Sequence, residues 1–345
     1  MPLSVRFITN LDYFNMKPLV SLCVPIYGVE LYIEQCCRSL FEQTYLNIEY
    51  IFVDDCTKDK SIEILQRVLG NYPQRINAVK IIRHERNKGL SGARNTAIGA
   101  VTGEYLMHID SDDYLDLNVV ETLVKKMQVE KADVVLYDMR YVYSDKQYLV
   151  HQHFPETKEE CVKDVLTFKI SACVWGGLYA TRLFKDTGVK FIEGLNFGED
   201  YVVKPRILYY ARKIVHCSGC YYNYVQYNAS SYTLSYKSKN IDDLIRAVSI
   251  LDIFFKKQKD YDIYQNTLLL AHLQVKIKLL IDICMHRKVL WNRVPMISDL
   301  YKNKVDNYGE IRVSHRIILW LANCKLYNVL YVYVKLGISL KQMFK

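Results

Sequence analysis

Two acidic clusters in the chain have the residue types and the crowding for chemistry: Val53-Asp-Asp55 and Ile109-Asp-Ser-Asp-Asp113. Three carboxylates within four residues repel and raise one another's pKa unless a cation sits among them. A hard divalent ion with oxygen ligands, shared with the phosphates of a substrate, relieves that repulsion. An acidic turn that caps a helix from Leu117 onward, through Asp113 or Asp116, is the plainer use of the same residues. The two uses are compatible. A third segment, Asn87-Lys-Gly-Leu-Ser-Gly-Ala-Arg-Asn95, places glycines and two cations just before a helix. Amides at a helix start favour anions, and Arg94 has the reach for a phosphate. GxxxxGK[ST] is absent, and so is GxGxxG after the first apolar run, which argues against a P-loop enzyme and a nicotinamide oxidoreductase. Gly198-Glu-Asp200 opens a further helix. Its carboxylates serve either as a proton acceptor or as favourable charge at the helix N-terminus.

These residues need elements to hold them. Val20 to Pro25, Tyr50 to Val53, Val79 to Ile82 and Tyr105 to Ile109 are short apolar runs of strand length. Between them, Glu30 to Leu46, Ser61 to Leu69 and Ser91 to Ala100 carry helical spacing. Such alternation predicts an α/β domain with a mostly parallel sheet. Ligands of these sheets bind beyond the carboxyl ends of the strands, where Asp54, Asp55, Asp110, Asp112 and Asp113 all fall. From Tyr137 to Tyr224 the pattern is irregular. From Asn240 onward it is helical, with Ile241 to Phe255 and Tyr264 to Cys284 the longest stretches.

At 345 residues, with 50% hydrophobic and 24% charged residues, the chain has globular composition and room for two domains. The net charge of +9 is uneven: from Ile241 to the end, 17 Lys/Arg face 9 Asp/Glu. Met1 to Lys17 lacks the apolar core of a signal peptide, and no run approaches the roughly 18 apolar residues of a spanning helix. Ten cysteines without a secretory signal suit a reducing compartment. The expectation is a cytoplasmic protein. Cys217-Ser-Gly-Cys220 has no second pair nearby to complete a zinc site. Basic charge without a recognition motif gives no reason to expect nucleic-acid binding.

Four segments occur in a telling order: VSLCVPIY (Val20–Tyr27), VDDCTKDKS (Val53–Ser61), NKGLSGARN (Asn87–Asn95) and DSDD (Asp110–Asp113). Trp175-Gly-Gly-Leu-Tyr179, Gly198-Glu-Asp200, Tyr221-Tyr-Asn-Tyr224 and Ser230-Ser231 follow. Together, over about residues 19–235, they resemble the family 2 inverting glycosyltransferases of bacterial surface-polysaccharide type, which have a GT-A fold. The resemblance implies a Rossmann-like, mostly parallel sheet flanked by helices in a catalytic domain over 19–235. Residues 1–18 are then an N-terminal extension, and 236–345 a basic, aromatic-rich helical region.

By the same resemblance, Pro25, Tyr27 and Asp55 line a nucleoside pocket, and Asn87, Arg94 and Asp110 contact the nucleotide of a donor, expected to be a UDP-sugar. Asp112 holds a divalent cation, Mn²⁺ or Mg²⁺, bridging the diphosphate. Asp200 is the base that deprotonates the acceptor, a hydroxyl of a growing glycan or lipid-linked glycan. Asp54, Asp113, Trp175 and Glu199 are supporting or acceptor-side candidates. Two departures stand out: Gly28 replaces the family's Asn, and Gly177 replaces a Lys, which bears on specificity. Rival readings are a non-catalytic nucleotide-sugar-binding or scaffold subunit and a nucleotidyltransferase; the latter lacks its Gly-rich basic signature at Pro25-Ile-Tyr-Gly28. The stretch Ile317 to Ile338, with Trp320, Tyr327, Tyr331 and Tyr333 among lysines, suits a helix lying at a membrane interface, such as the inner face of the cytoplasmic membrane, and equally one packed on the catalytic domain or a dimer partner.

Overall fold

The computed structural model describes residues 17–228, 238–301 and 311–343. Most of the N-terminal extension, Ser230-Ser231 and the composition boundary near residue 235 therefore lie outside the described residues. The chain divides into two compact units. One comprises residues 1–158, 173–194 and 207–228, the other 159–172, 195–206 and 229–345.

The first unit opens with β1 (Val20–Ile26), α1 (Ile33–Phe41), β2 (Ile48–Asp54), α2 (Ser61–Leu69), β3 (Val79–Arg83), α3 (Gly89–Ala100) and β4 (Tyr105–His108). Strands β1, β2 and β4 are buried along their whole length, which is why they read as unbroken apolar runs. They pair in parallel in the order β3-β2-β1-β4. Pro25 does not end β1, which runs on to Ile26. The last rung with β4 is Cys23 to His108, so Pro25 lies past the point where that side of β1 has a strand partner.

The region expected to be irregular holds the two longest strands. Beyond β5 (Tyr114–Leu115) and α4 (Val119–Glu130) come β6 (Val134–Val142) and its hairpin partner β7 (Gln147–Val150). After α5 (Lys158–Leu166) follow β8 (Gly177–Ala180), α6 (Arg182–Lys185), α7 (Glu199–Tyr210) and β9 (Ile214–Val225). They extend the same sheet in the order β4-β8-β6-β9-β5. Here β8 runs antiparallel to both neighbours, whereas β6 and β9 are parallel, from Val134–Ile214 to Val142–Val225. The sheet is thus mixed. A register shift at Tyr137 to Met139 breaks the alternation of β6 and β9, which hides both from a reading by period. Helix α4 takes Asn118 as its cap, with no side-chain cap bond, so neither Asp113 nor Asp116 caps it.

The second unit is helical: α8 (Ser238–Lys256), α9 (Tyr261–Met285), α10 (Arg287–Leu290), α11 (Val294–Asp299), α12 (Val313–Asn323) and α13 (Tyr327–Met343). Helix α9 buries residues around most of its circumference, as its lack of a polar face requires. Its Lys276 is buried and donates to Ser298 O at 2.7 Å and Asn323 Oδ1 at 3.0 Å. Helices α12 and α13 are separated by a turn in which Lys325 takes φ +59°. Among the described residues no helix is long and apolar enough to cross a membrane.

Candidate functional site

The carboxyl ends of β1, β2, β3 and β4 lie along one edge of the sheet because the four strands are parallel. Tyr27 leaves β1 half-exposed, and Gly28 turns at φ +69°, its N–H donating to Thr57 Oγ1 at 2.9 Å. At the end of β2, Asp54 and Asp55 part company. Asp54 is buried, accepts from Thr57 N–H at 2.8 Å and pairs with Arg83 at 3.2 Å, so it holds the loop rather than facing a ligand.

Asp55 Oδ1 accepts from the Lys88 N–H at 2.7 Å and lies 2.7 Å from His84 Nδ1. A carboxylate can only accept, so the ring proton belongs on Nδ1. Nε2 then meets the Thr96 hydroxyl at 2.8 Å. Asn87 donates to Asp55 O at 3.2 Å and accepts from Gly89 N–H at 3.1 Å. It pins the entry to α3, where Gly89 has φ +75°.

Arg94, on α3, is almost wholly buried. Its guanidinium donates to Asp110 Oδ1 at 2.7 Å and lies 5.3 Å from the centre of the Phe191 ring. His108, the last residue of β4, is buried and packed edge-on against Phe184 and Phe191. Asp112 accepts from Asn228 Nδ2 at 2.7 Å; burial and then the charge of Asp110 raise its pKa. Asp113 is buried and accepts from Tyr222 Oη at 2.8 Å and Val225 N–H at 2.7 Å. Burial, then the charges of Asp112 and Asp110, push its carboxyl well above the usual carboxylate range. Tyr222 also accepts from the Asp110 N–H at 3.0 Å and stacks on Trp175 at 4.3 Å. Trp175 thus supports the acidic turn from behind, through Tyr222.

Gly177 accounts for its own departure from the family pattern. A Cβ there would lie 2.8 Å from Tyr179 Cζ and 3.0 Å from Leu136 Cδ2. Tyr179 is buried and donates to Val174 O at 2.9 Å, so it cannot easily make room. Glu199 and Asp200 belong to the second unit. They form the first turn of α7, both partly exposed, behind Gly198 at φ +81°. Next to that turn, the Asn196 N–H donates to Asp243 Oδ2 at 3.1 Å.

A divalent ion can be tested against this arrangement. Among the described residues no group of three His, Cys, Asp or Glu is disposed to hold a metal. Asp113 is committed to β9 and Asp110 to Arg94. Yet three crowded carboxyls face a single guanidinium, and two of them are held above their ordinary range. Of the three, Asp112, which accepts from Asn228, is the carboxylate that would hold such an ion.

Pro25, Tyr27, Asp55, Asn87, Arg94, Asp110, Asp112, Asp113 and Trp175 are all in the first unit. Sequence reasoning passed over His84 and Asn228, and it quoted Tyr222 only within Tyr221-Tyr-Asn-Tyr224, without a role. His84 was findable as a titratable residue at a strand end, whereas Tyr222 and Asn228 depend on where β9 lies.

An open α/β sheet with acidic residues at the carboxyl ends of its parallel strands belongs to the class of folds that carry ligand sites at that edge. The comparisons narrow the class. Residues 21–182 match the family model described as Glycosyl transferase family 2. The chain is 30% identical over 259 residues to the glycosyltransferase GlyG of Streptococcus pneumoniae, covering 71% of this chain and 81% of that protein. It is 35% identical over 193 residues to the uncharacterized glycosyltransferase EpsJ of Bacillus subtilis, and spans about half of that relative's length. The structure of S. aureus TarS 1–349 in complex with UDP-GlcNAc superposes with a TM-score of 0.70 at 20% identity, covering 92% of this chain and 90% of that one. The fold is shared. The chain belongs to glycosyl transferase family 2.

Proposed function

We propose that the protein transfers a sugar from a nucleotide-sugar donor, a UDP-sugar, to a hydroxyl of a growing glycan, with inversion at the anomeric carbon. The observation that carries this reading is the Arg94–Asp110 pair beside Asp112, at the carboxyl edge of the parallel strands. In the same unit stand Pro25, Tyr27, Asp55, Asn87 and Trp175, from the segments whose order resembles the family. TarS in its UDP-GlcNAc complex supports the choice of donor class.

On this reading Asp55, fixed by His84 and the Lys88 N–H, accepts from the base ring of the nucleotide, with Pro25 and Tyr27 as the pocket wall. Asn87 and Arg94 bear on the phosphates and Asp110 on the ribose. Asp112 would hold Mn²⁺ or Mg²⁺, and such an ion would supply positive charge against the charge growing on the departing diphosphate. The acceptor oxygen forms its bond to the anomeric carbon as the bond to the diphosphate oxygen breaks. Asp200 takes the acceptor's proton, and a single displacement inverts the configuration. Glu199 favours the helix start or lines the acceptor side.

The test is a donor screen with UDP-sugars, with and without Mn²⁺, read by calorimetry and by release of nucleoside diphosphate. Donor binding followed by sugar transfer or slow hydrolysis is the expected result. Binding without turnover under any acceptor or metal condition would make the protein a nucleotide-sugar-binding subunit instead.

A further inference from the structure

The apolar C-terminal segment divides into two helices, and each has apolar residues on two sides. Inward, Ile318, Leu319, Leu330 and Val334 are buried within the second unit. Outward, α12 exposes Val313, Ile317 and Trp320, and α13 exposes Val329, Val332 and Leu336. These fall at intervals of three and four residues, so each set forms a continuous stripe along its helix. Trp320 is 59% exposed and Leu336 also 59%. Large apolar side chains in water at that density mark a surface that meets something.

The charges around the stripes identify the partner. From Ile311 to Lys345 there are six cations, Arg312, Arg316, Lys325, Lys335, Lys341 and Lys345, and no acidic residue. Arg312 precedes Val313 at the start of α12, and Lys325 stands exposed in the turn before α13. A second copy docking by the same face would set these cations against an identical set, with no carboxylate on α12 or α13 to separate them. An anionic lipid surface supplies the opposite charge and accepts the apolar side chains at once. Tyr331 is not part of this face in the same way: the Arg287 guanidinium lies 4.4 Å from its ring centre and 4.4 Å from that of Trp291.

We infer that α12 and α13 seat the protein on an anionic phospholipid surface, with Trp320, Val329, Val332 and Leu336 entering the headgroup layer. The inference stands apart from the catalytic reading, and its test needs no substrate.

Full-length protein is floated with phosphatidylglycerol-containing vesicles and with pure phosphatidylcholine vesicles, at low and high salt. Two sets of variants accompany it: Trp320→Ser with Val332→Ser and Leu336→Ser, and Arg312→Gln with Lys325→Gln and Lys335→Gln. All six positions are outside the packed core, and melting temperature serves as the control for folding. Expected is flotation with the anionic vesicles alone, lost at high salt. Each removed cation should weaken partitioning about fivefold, and the apolar set should abolish flotation. Three results would overturn the inference: no flotation of the wild type at low salt, equal flotation on neutral vesicles, or wild-type binding by folded variants of both sets. Sedimentation as a dimer that Trp320→Ser dissolves would assign the face to self-association and also overturn it.

Discussion

His84 Nδ1 and Asp55 Oδ1 lie 2.7 Å apart, both buried, at the ends of two adjacent parallel strands. The contact orients the one carboxylate of the β2 exit that is not used up in holding its own loop. The Lys88 N–H fixes the same oxygen from the start of α3. A group held from two directions is suited to reading a ligand's hydrogen-bond pattern, since little rotamer freedom is lost on binding.

His84→Ala should therefore weaken UDP binding by roughly tenfold to a hundredfold, the worth of a hydrogen bond to a charged group. His84→Asn, whose amide N–H can replace Nδ1–H, should recover part of that loss. Calorimetric titration of both variants with UDP checks the expectation, with melting temperature as the control for folding.

Asp112→Asn should abolish the metal-dependent part of donor affinity and leave the fold intact, because Asn keeps the shape of a side chain that is less buried than its neighbour Asp113. A chelator should produce the same loss in the wild type and none in the variant. The measurement is UDP-sugar affinity with Mn²⁺ and with chelator; unchanged affinity in the variant would refute the metal assignment.

For Asp200→Asn, turnover should fall about a hundredfold to ten-thousandfold, the usual worth of a positioned base. Donor affinity should stay near wild type. Glu199→Gln should cost less. Transfer rate measured beside UDP affinity separates the two carboxylates, and a larger rate loss in Glu199→Gln would reverse their roles.

Glu49 offers a pH test of the scaffold. Burial pushes its pKa up, but hydrogen bonds from Ser21 Oγ, the Thr102 N–H and hydroxyl, and Lys80 outweigh that and bring it down to about 2. A carboxylate with a depressed pKa contributes stability that is present above its unfolded pKa and lost as pH falls through its folded one. Glu49→Gln should cost about 1–3 kcal/mol at neutral pH. The gap should narrow between roughly pH 4.5 and 2. Denaturant midpoints of both proteins across that range provide the check.

Gly177→Ala should destabilise the first unit by about 1–3 kcal/mol, as overpacking typically does. The cause is the Tyr179 ring, already bonded to Val174 O. Chemical denaturation gives the number, and a neutral result would mean that Tyr179 can move aside.

The front of the fold was legible because β1, β2 and β4 are buried on both faces and so read as apolar runs, each closed by a polar strand end. Asp55 and the acidic turn followed from that, whereas Arg94 was read from the Gly-rich segment Asn87–Asn95 that leads into the third helix. The partners of the acidic turn did not. Asp113 is held by Tyr222 and Val225, more than a hundred residues downstream, and Asp112 by Asn228. No local period encodes a pairing across that distance, and the register shift in β6 and β9 erased the alternation that would have shown the strands. The interval of helical spacing from Glu30 to Leu46 was also too generous. The helix itself is Ile33–Phe41, with Gln43 and Asn47 spent on backbone carbonyls beyond it.

The parallel pairing of β6 with β9 has a consequence during synthesis. Val134 meets Ile214, so the first of the two strands is made 80 residues before its neighbour. At about 5–20 residues per second, β6 waits some 4–16 seconds for that neighbour. Its bare edge, Val134-Val-Leu-Tyr137, is apolar and uncharged, the kind of strand that recruits other chains. Nascent chains halted between residues 143 and 213 should therefore need a holding chaperone more than either shorter or finished ones.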